Sequence, residues 1–188
     1  LEASCFEIYL MKSSLRTIIF CGIFTALLAA SAFIRIPMPL VPITLQAEMA
    51  ILAGLLLGPT RGFCCALLYL GLGLAGLPIF SGGGGLSYVF RPGFGYLVGF
   101  CAAAFAAGWL ARRSTNLGRL ILAALIGLFL IYLFGFSYYY ILGKYVLNQS
   151  LALGPLLVSS VLIFLPTDIP LCILCAVLAR RLRPYIKL

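Results

Sequence analysis

The chain has 188 residues, of which 64% are hydrophobic and 9% are charged, and its mean hydropathy is +1.18. Polar side chains are too few to cover the surface of a water-soluble globular protein. The composition therefore predicts an integral membrane protein. The 13 basic residues outnumber the 4 acidic ones, but they cluster at the ends of apolar runs, as topology signals do, which argues against a nucleic-acid partner.

Six apolar runs follow one another along the chain, each long enough to cross a bilayer as a helix or nearly so. They cover residues 15–34, 43–57, 62–77, 93–110, 120–142 and 156–178. We therefore predict an all-α fold in which six transmembrane helices form a single domain, residues 13–188. Residues 1–12 differ in character from the rest, and we interpret them as an N-terminal extension outside that fold.

The lysines and arginines predict the orientation of these helices, because positively charged loops are retained on the cytoplasmic side. With both termini in the cytoplasm, the basic residues on the outer side are only Arg35, Arg91 and Lys144. The opposite orientation would reverse this bias. We therefore expect a multi-pass membrane protein whose two termini are cytoplasmic.

The outer loops of that topology are the elaborate ones. Pro37, Pro39 and Pro42 should stop helix 1 and favour an extended segment, and a glycine-rich loop joins helices 3 and 4 on the same side. Pro166 and Pro170 predict an irregular helix 6. Loops held by a rigid scaffold commonly carry binding groups, so a site is expected at the outward face.

Four polar residues interrupt the apolar runs near that face: Thr44, Gln46 and Glu48 open helix 2, and Asp168 lies in helix 6. A carboxylate at mid-bilayer costs about 2.5–3.5 kcal/mol, so such a group should face the bundle interior or a watery cavity. The alternative is that Glu48 and Asp168 lie at the headgroup level and are solvated.

The loop between helices 3 and 4 contains four consecutive glycines, Gly82, Gly83, Gly84 and Gly85. Glycines permit positive φ and leave amide N–H groups open to a ligand. Tyr88, Phe90, Phe94 and Tyr96 add apolar stacking surface. This combination suits a small organic molecule that has a ring and a few hydrogen-bonding edges, and the alternative is a flexible outer loop with aromatic anchors at the membrane interface.

The sequence offers little for catalysis or for metal binding. It contains no histidine and 4 acidic residues, with no evident pairing of a nucleophile and a base. Cys172 and Cys175 have CxxC spacing but lack a second cysteine pair. We therefore predict no catalytic residue, no metal and no cofactor.

Two helices carry small residues every four positions, which lets membrane helices pack closely. On helix 4 these are Gly99, Ala103 and Ala107, and on helix 1 they are Gly22, Ala26 and Ala30. Internal packing explains both stripes. The alternative for helix 1 is that its stripe is presented to a partner protein.

Several stretches resemble one known family. They are "IRIPMPLVPITLQ", "LAGLLLGPTRG", "LGLGLAGLPIFSGGGGLSYVFRPGFGYLVGF" and, on the last helix, "FLPTDIP". Together they resemble the BioY proteins, the biotin-binding S components of energy-coupling factor (ECF) vitamin transporters. Six helices with both ends inside agree with that resemblance.

The resemblance implies capture of biotin as a ligand from outside the cell, across a bacterial inner membrane. It places Thr44 and Gln46 in the family's "TLQ" segment, Tyr88 with the four glycines in its glycine-rich loop, Tyr96 in the segment that follows, and Asp168 on helix 6. It also implies a transmembrane T component and two ATPase subunits as partners, with the helix 1 stripe resembling their docking surface. Uptake by the chain alone or as an oligomer is left open.

The sequence departs from that family at three positions. Leu171 stands where a lysine is common, three residues after the helix 6 aspartate. Arg91 stands where glycine is common, and we expect it to supply the missing cation, so that biotin affinity falls strongly in Arg91→Ala and survives in Lys144→Ala. Glu48 is also unexpected, and it would either repel the carboxylate of biotin or bind a ureido N–H.

Three other functions compete with this one. One is an S component for a different small vitamin, which Leu171 weakly favours, and another is a membrane subunit without its own ligand. An intramembrane enzyme acting on lipid would need a pair of titratable groups that the sequence barely offers.

Overall fold

The computed structural model describes residues 2–36, 42–112, 114–146 and 153–186, without the side chains of residues 2–14 and 153. Within these ranges the protein is mostly helical. The helices are α1 (Glu2–Ser31), α2 (Gln46–Leu57), α3 (Pro59–Leu74), α4 (Phe94–Leu110), α5 (Leu117–Tyr145), α6 (Leu153–Leu157) and α7 (Leu165–Leu182), with a short 3₁₀ turn at Leu86–Phe90 and a π-helical turn at Val158–Leu162. Two short strands, β1 (Arg35–Ile36) and β2 (Ile43–Thr44), lie between α1 and α2.

Each predicted apolar run is helical over most of its length in the described residues. Two helical segments, Leu117–Tyr145 and Gly154–Leu182, are long and apolar enough to cross a membrane, with mean hydropathies of 2.5 and 2.4. The other four apolar segments are shorter: Leu15–Ser31, Gln46–Leu57, Pro59–Leu74 and Phe94–Leu110. Helix α1 begins at Glu2 and so includes residues of the segment interpreted as an extension.

The segment after α1 is extended, as its prolines predicted. β1 pairs antiparallel with β2, with Arg35 opposite Thr44 and Ile36 opposite Ile43. Pro37 and Pro39 lie outside the described residues, but Pro42 directly precedes β2. The pairing returns the chain to the start of α2 and holds Arg35 next to Thr44.

Helix α4 lies at the centre of the bundle and packs against α2, α3 and α5. Close approach depends on glycine: a Cβ on Gly54 would overlap the carbonyl oxygen of Ala104, and one on Gly99 would lie 2.9 Å from the Cα atom of Ile131. Ala103 and Ala107 are fully buried. The small-residue stripe of α4 is therefore a packing surface inside the bundle, which confirms that interpretation.

The sixth apolar run is divided, as Pro166 and Pro170 led us to expect. α6 passes into the π-helical turn, and α7 begins afresh at Leu165 with Pro166 in its first turn and Pro170 inside. The irregular turn leaves the Ser160 carbonyl oxygen free to accept a 2.6 Å hydrogen bond from the Tyr96 hydroxyl. The new helix start places Asp168 in the first turn of α7.

Candidate functional site

A cavity of about 520 Å³ opens where the β1–β2 pair, the glycine-rich loop and the starts of α2, α4 and α7 meet. Its volume lies within the usual range for small-molecule sites. Seven of the residues predicted from the sequence line it: Thr44, Gln46, Gly82, Tyr88, Arg91, Tyr96 and Asp168. Residues far apart in the chain thus come together around one space.

Three of the predicted glycines, Gly83, Gly84 and Gly85, do not line the cavity. The Gly83 amide donates to the Phe80 carbonyl oxygen at 3.1 Å, and the Gly85 amide donates to that of Gly73 at 2.7 Å. Gly83 and Gly85 have φ of +118° and +94°, which favour glycine. The expectation that these amides face a ligand is therefore corrected: those of Gly83 and Gly85 hold the loop in shape.

Asp168 forms the acidic part of the cavity floor and is only 6% exposed. The Tyr132 hydroxyl donates to Asp168 Oδ2 at 2.7 Å, and Thr167 Oγ1 lies 2.9 Å from Oδ1. Neither partner carries a positive charge. Because a carboxylate has about four lone-pair sites, Asp168 retains the capacity to accept N–H donors from a ligand.

Gln46 lies in the same cavity and its amide is held in one orientation. Its Oε1 accepts a 3.1 Å hydrogen bond from Thr44 Oγ1, while its Nε2 donates to the Tyr69 hydroxyl. The Tyr69 hydroxyl in turn donates to the Ile79 carbonyl oxygen at 2.9 Å. These hydrogen bonds leave Gln46 with one N–H and one oxygen lone pair that can bind a ligand.

Two arginines occupy the cavity mouth, and both are exposed. Arg91 Nη1 donates to the Gly82 carbonyl oxygen at 2.7 Å, and its guanidinium lies 5.3 Å from the centroid of the Tyr88 ring. Arg35 donates to the Ser81 carbonyl oxygen. Because both cations lie on the same rim, they attract anions towards the opening.

Aromatic and aliphatic side chains form the walls between floor and mouth. Tyr88 packs at 4.7 Å, centroid to centroid, against the buried Phe80. The apolar lining that the sequence analysis did not identify includes Ala47, Leu97, Phe100, Ile131 and Phe164. These walls give a flat ring system an apolar surface on which to pack.

Sequence reasoning missed three polar residues of the site, Arg35, Ser81 and Tyr132. Arg35 was interpreted only as a topology charge, although it lies in the same stretch, "IRIPMPLVPITLQ", as the "TLQ" segment. Tyr132 is one tyrosine inside the long apolar run of α5. Only the packing of α5 against α7 brings its hydroxyl to Asp168.

Several residues discussed from the sequence lie outside this cavity. Leu171 does not line it. Lys144 does not either, and its ammonium lies 5.4 Å from the centroid of the Tyr145 ring. Glu48 is buried away from the cavity at 1% exposure. The α1 stripe of Gly22, Ala26 and Ala30 is exposed, and a Cβ on Gly22 would meet nothing within 4 Å.

The cavity therefore has cations at its mouth, a carboxylate and an oriented amide at its floor, and apolar walls between them. This arrangement can hold a small molecule with an anionic group at one end and N–H donors at the other.

Comparison with known proteins agrees with a transport role. The family model described as the BioY family matches residues 8–188. A probable biotin transporter BioY of Lysinibacillus sphaericus is 41% identical, over 92% of this chain and 89% of the relative. A probable biotin transporter BioY of Pyrococcus horikoshii is 37% identical, over 86% of this chain and 93% of the relative. A crystal structure of the S-component for biotin from an ECF-type ABC transporter matches with a TM-score of 0.80 and 30% identity, over 92% of this chain and 93% of that one.

Proposed function

This chain belongs to the BioY family, and from that premise we propose that it captures biotin in the cavity as the S component of an ECF transporter. The family consists of transporter components and not of enzymes. The single observation that carries the ligand assignment is the division of charge, with Arg35 and Arg91 at the mouth and Asp168 at the floor.

Biotin has complementary ends. Its ureido ring presents two N–H donors and one carbonyl oxygen, and its aliphatic tail ends in a carboxylate. Asp168 accepts the ureido N–H groups, and the remaining amide N–H of Gln46 donates to the ureido oxygen. The fused rings pack against Tyr96 and Phe100, and the tail carboxylate points towards Arg91.

The mouth of the cavity faces the outside of the cell. Arg35 and Arg91 belong to the few basic residues on the predicted outer side, whereas Arg183 at the end of α7 donates to the Leu55 and Ala111 carbonyl oxygens near the C-terminal ends of α2 and α4. The proposal includes six membrane spans, two cytoplasmic termini and an outward glycine-rich loop, and the distribution of basic residues supports it. The membrane is a bacterial inner membrane.

The energising partners dock on α1. Nothing in the cavity hydrolyses ATP, and the exposed stripe of Gly22, Ala26 and Ala30 offers a flat face to a transmembrane T component carrying the two ATPase subunits. Gly22→Leu should reduce co-purification of these subunits without changing biotin binding, because Gly22 is exposed and a Cβ there would meet nothing within 4 Å. Leu122→Trp, on the exposed face of α5, is the matched control and should leave assembly intact.

Equilibrium binding of labelled biotin to the purified protein tests the ligand assignment. We expect sub-micromolar affinity that excess unlabelled biotin competes away. Tight binding of another vitamin together with no binding of biotin would overturn the assignment, and no binding of any vitamin would favour a subunit without its own ligand.

A further inference from the structure

The Glu48 carboxyl is buried without a partner. Its side chain is 1% exposed, and neither Oε1 nor Oε2 has a hydrogen-bond partner among the described residues. It lies in the first turn of α2, two residues after Gln46. A polar group this deeply buried is normally hydrogen-bonded, so Glu48 requires an explanation beyond packing.

The groups that face Glu48 are acidic or neutral. From α7 they are Asp168, Cys172 and Cys175, and from α5 the facing group is Tyr132. Cys175 Sγ donates to the Glu48 carbonyl oxygen at 3.7 Å, which fixes α2 against α7 at this level. None of these groups is a cation that would compensate a charged carboxylate.

A metal ion does not explain the site. No group of three or more histidine, cysteine, aspartate or glutamate side chains in the described ranges is arranged to hold one. Direct contact with the ligand does not explain it either, because Glu48 does not line the cavity. The remaining partner for an isolated carboxyl in an apolar interior is a proton.

We propose that Glu48 binds a proton beneath the ligand cavity and that biotin is held tightly only while this proton is in place. This inference rests on the proposed function. Glu48 acts as a positioning residue: within the described part of the chain, its neutral form leaves Asp168 as the one negative charge next to the bound ligand.

The coupling follows from charge. An ionised Glu48 would add a second uncompensated negative charge behind Asp168, and biotin is itself an anion. Proton binding and biotin binding therefore favour each other, and this linkage is reciprocal. With an effective dielectric constant of about 20 and a separation of about 10 Å, one added charge weakens the affinity for an anion about tenfold.

The test measures biotin affinity from about pH 6 to about pH 9, where a carboxylic acid with an ordinary pKa of about 4.3, such as biotin, stays ionised. The wild type should lose about tenfold in affinity as Glu48 gives up its proton on the alkaline side. Glu48→Gln, which has the same shape and cannot ionise, should bind with a pH-independent affinity. The double variant Cys172→Ser, Cys175→Ser keeps a donor to the Glu48 carbonyl oxygen and should keep the wild-type profile, which excludes the neighbouring thiols as the titrating groups.

Infrared spectroscopy supplies a second readout that does not depend on the variant binding biotin. The wild type at neutral pH should show a carboxylic-acid C=O band that is missing in Glu48→Gln and that disappears over the same pH range in which affinity falls. Parallel affinity profiles in wild type and Glu48→Gln, or an ionised Glu48 at neutral pH, would overturn the inference. Failure of the wild type to bind biotin at every pH would instead overturn the proposed function.

Discussion

The floor and the mouth of the cavity are both polar, but they are built differently. Asp168, Gln46 and Tyr132 at the floor are buried side chains on helices, and hydrogen bonds hold each of them. Arg35 and Arg91 at the mouth are exposed and flank the loops. Solvent-exposed charges contribute little to affinity and mainly raise the rate at which a charged ligand associates. Removing one partner of a buried pair, in contrast, leaves the other polar group buried and unpaired, which weakens binding. The floor should therefore determine how tightly biotin is held, and the mouth how fast it arrives.

Asp168→Asn is the strongest test of this division. Asparagine keeps the shape of the side chain but lacks the negative charge of the carboxylate to which the two ureido N–H groups would donate hydrogen bonds. We expect an affinity loss of about 3 kcal/mol, roughly a hundredfold, because charge-assisted hydrogen bonds at a buried site are lost. Equilibrium binding of labelled biotin measures it. A loss smaller than that in Arg91→Ala would reverse the proposed roles of floor and mouth.

Gly84→Ala tests whether the glycine-rich loop positions the mouth without touching the ligand. A Cβ on Gly84 would overlap the carbonyl oxygen of Leu77, a backbone atom that cannot move aside. We expect strain of about 2 kcal/mol, which should lower the thermal unfolding midpoint. If the loop shifts to relieve this strain, biotin binding should weaken roughly thirtyfold.

Gly82→Ala is the matched control for this prediction, because the same methyl group there meets the mobile end of the Arg91 side chain. We expect its thermal midpoint to stay close to that of the wild type. Equal destabilisation by the two substitutions would contradict a positioning role specific to Gly84.

Comparing floor and mouth also separates what the sequence could predict from what it could not. Asp168 and Gln46 were predictable because a polar residue inside an apolar run is costly and needs a reason. Tyr132 was not, because an aromatic residue in an apolar helix is ordinary until the partner of its hydroxyl is known. The residues that complete the floor depend on how α5 packs against α7, and periodicity does not encode that contact.

The glycines show the opposite limitation. Their sequence predicted a loop with bare amides, and the loop is present, but the amides of Gly83 and Gly85 bond within the protein. Local sequence indicates that a backbone is conformationally free, and not where its donors point. The helices, in contrast, follow from hydropathy alone, because an apolar run must satisfy its own backbone hydrogen bonds.

Tyr132→Phe sharpens the description of the floor. Removing the hydroxyl takes away the 2.7 Å hydrogen bond to Asp168 Oδ2 while the ring stays in place. We expect biotin affinity to fall about tenfold, since one hydrogen bond to a charged group contributes about 1.5 kcal/mol or more. Tyr140→Phe, at the end of α5 and outside the cavity, should bind biotin like the wild type. An unchanged affinity in Tyr132→Phe would mean that Asp168 needs no orienting donor.

Arg91→Ala should have the smallest effect on equilibrium affinity, although the sequence alone suggested a strong one. The guanidinium is exposed, and Arg35 shares the rim with it, so the loss should be about 1 kcal/mol, roughly fivefold, at low ionic strength. Most of this loss of affinity should appear in the association rate constant, which stopped-flow mixing measures. The effect on the rate should shrink between about 0.01 M and about 1 M salt, because the Debye length falls from about 30 Å to about 3 Å. Lys144→Ala removes an equal charge that the sequence also predicts on the outer side but that lies outside the cavity, so it should leave the rate nearly unchanged. A salt-independent loss in Arg91→Ala, located in the dissociation rate, would show that Arg91 holds the bound ligand as a floor residue does, and the contrast between the two ends of the cavity would no longer stand.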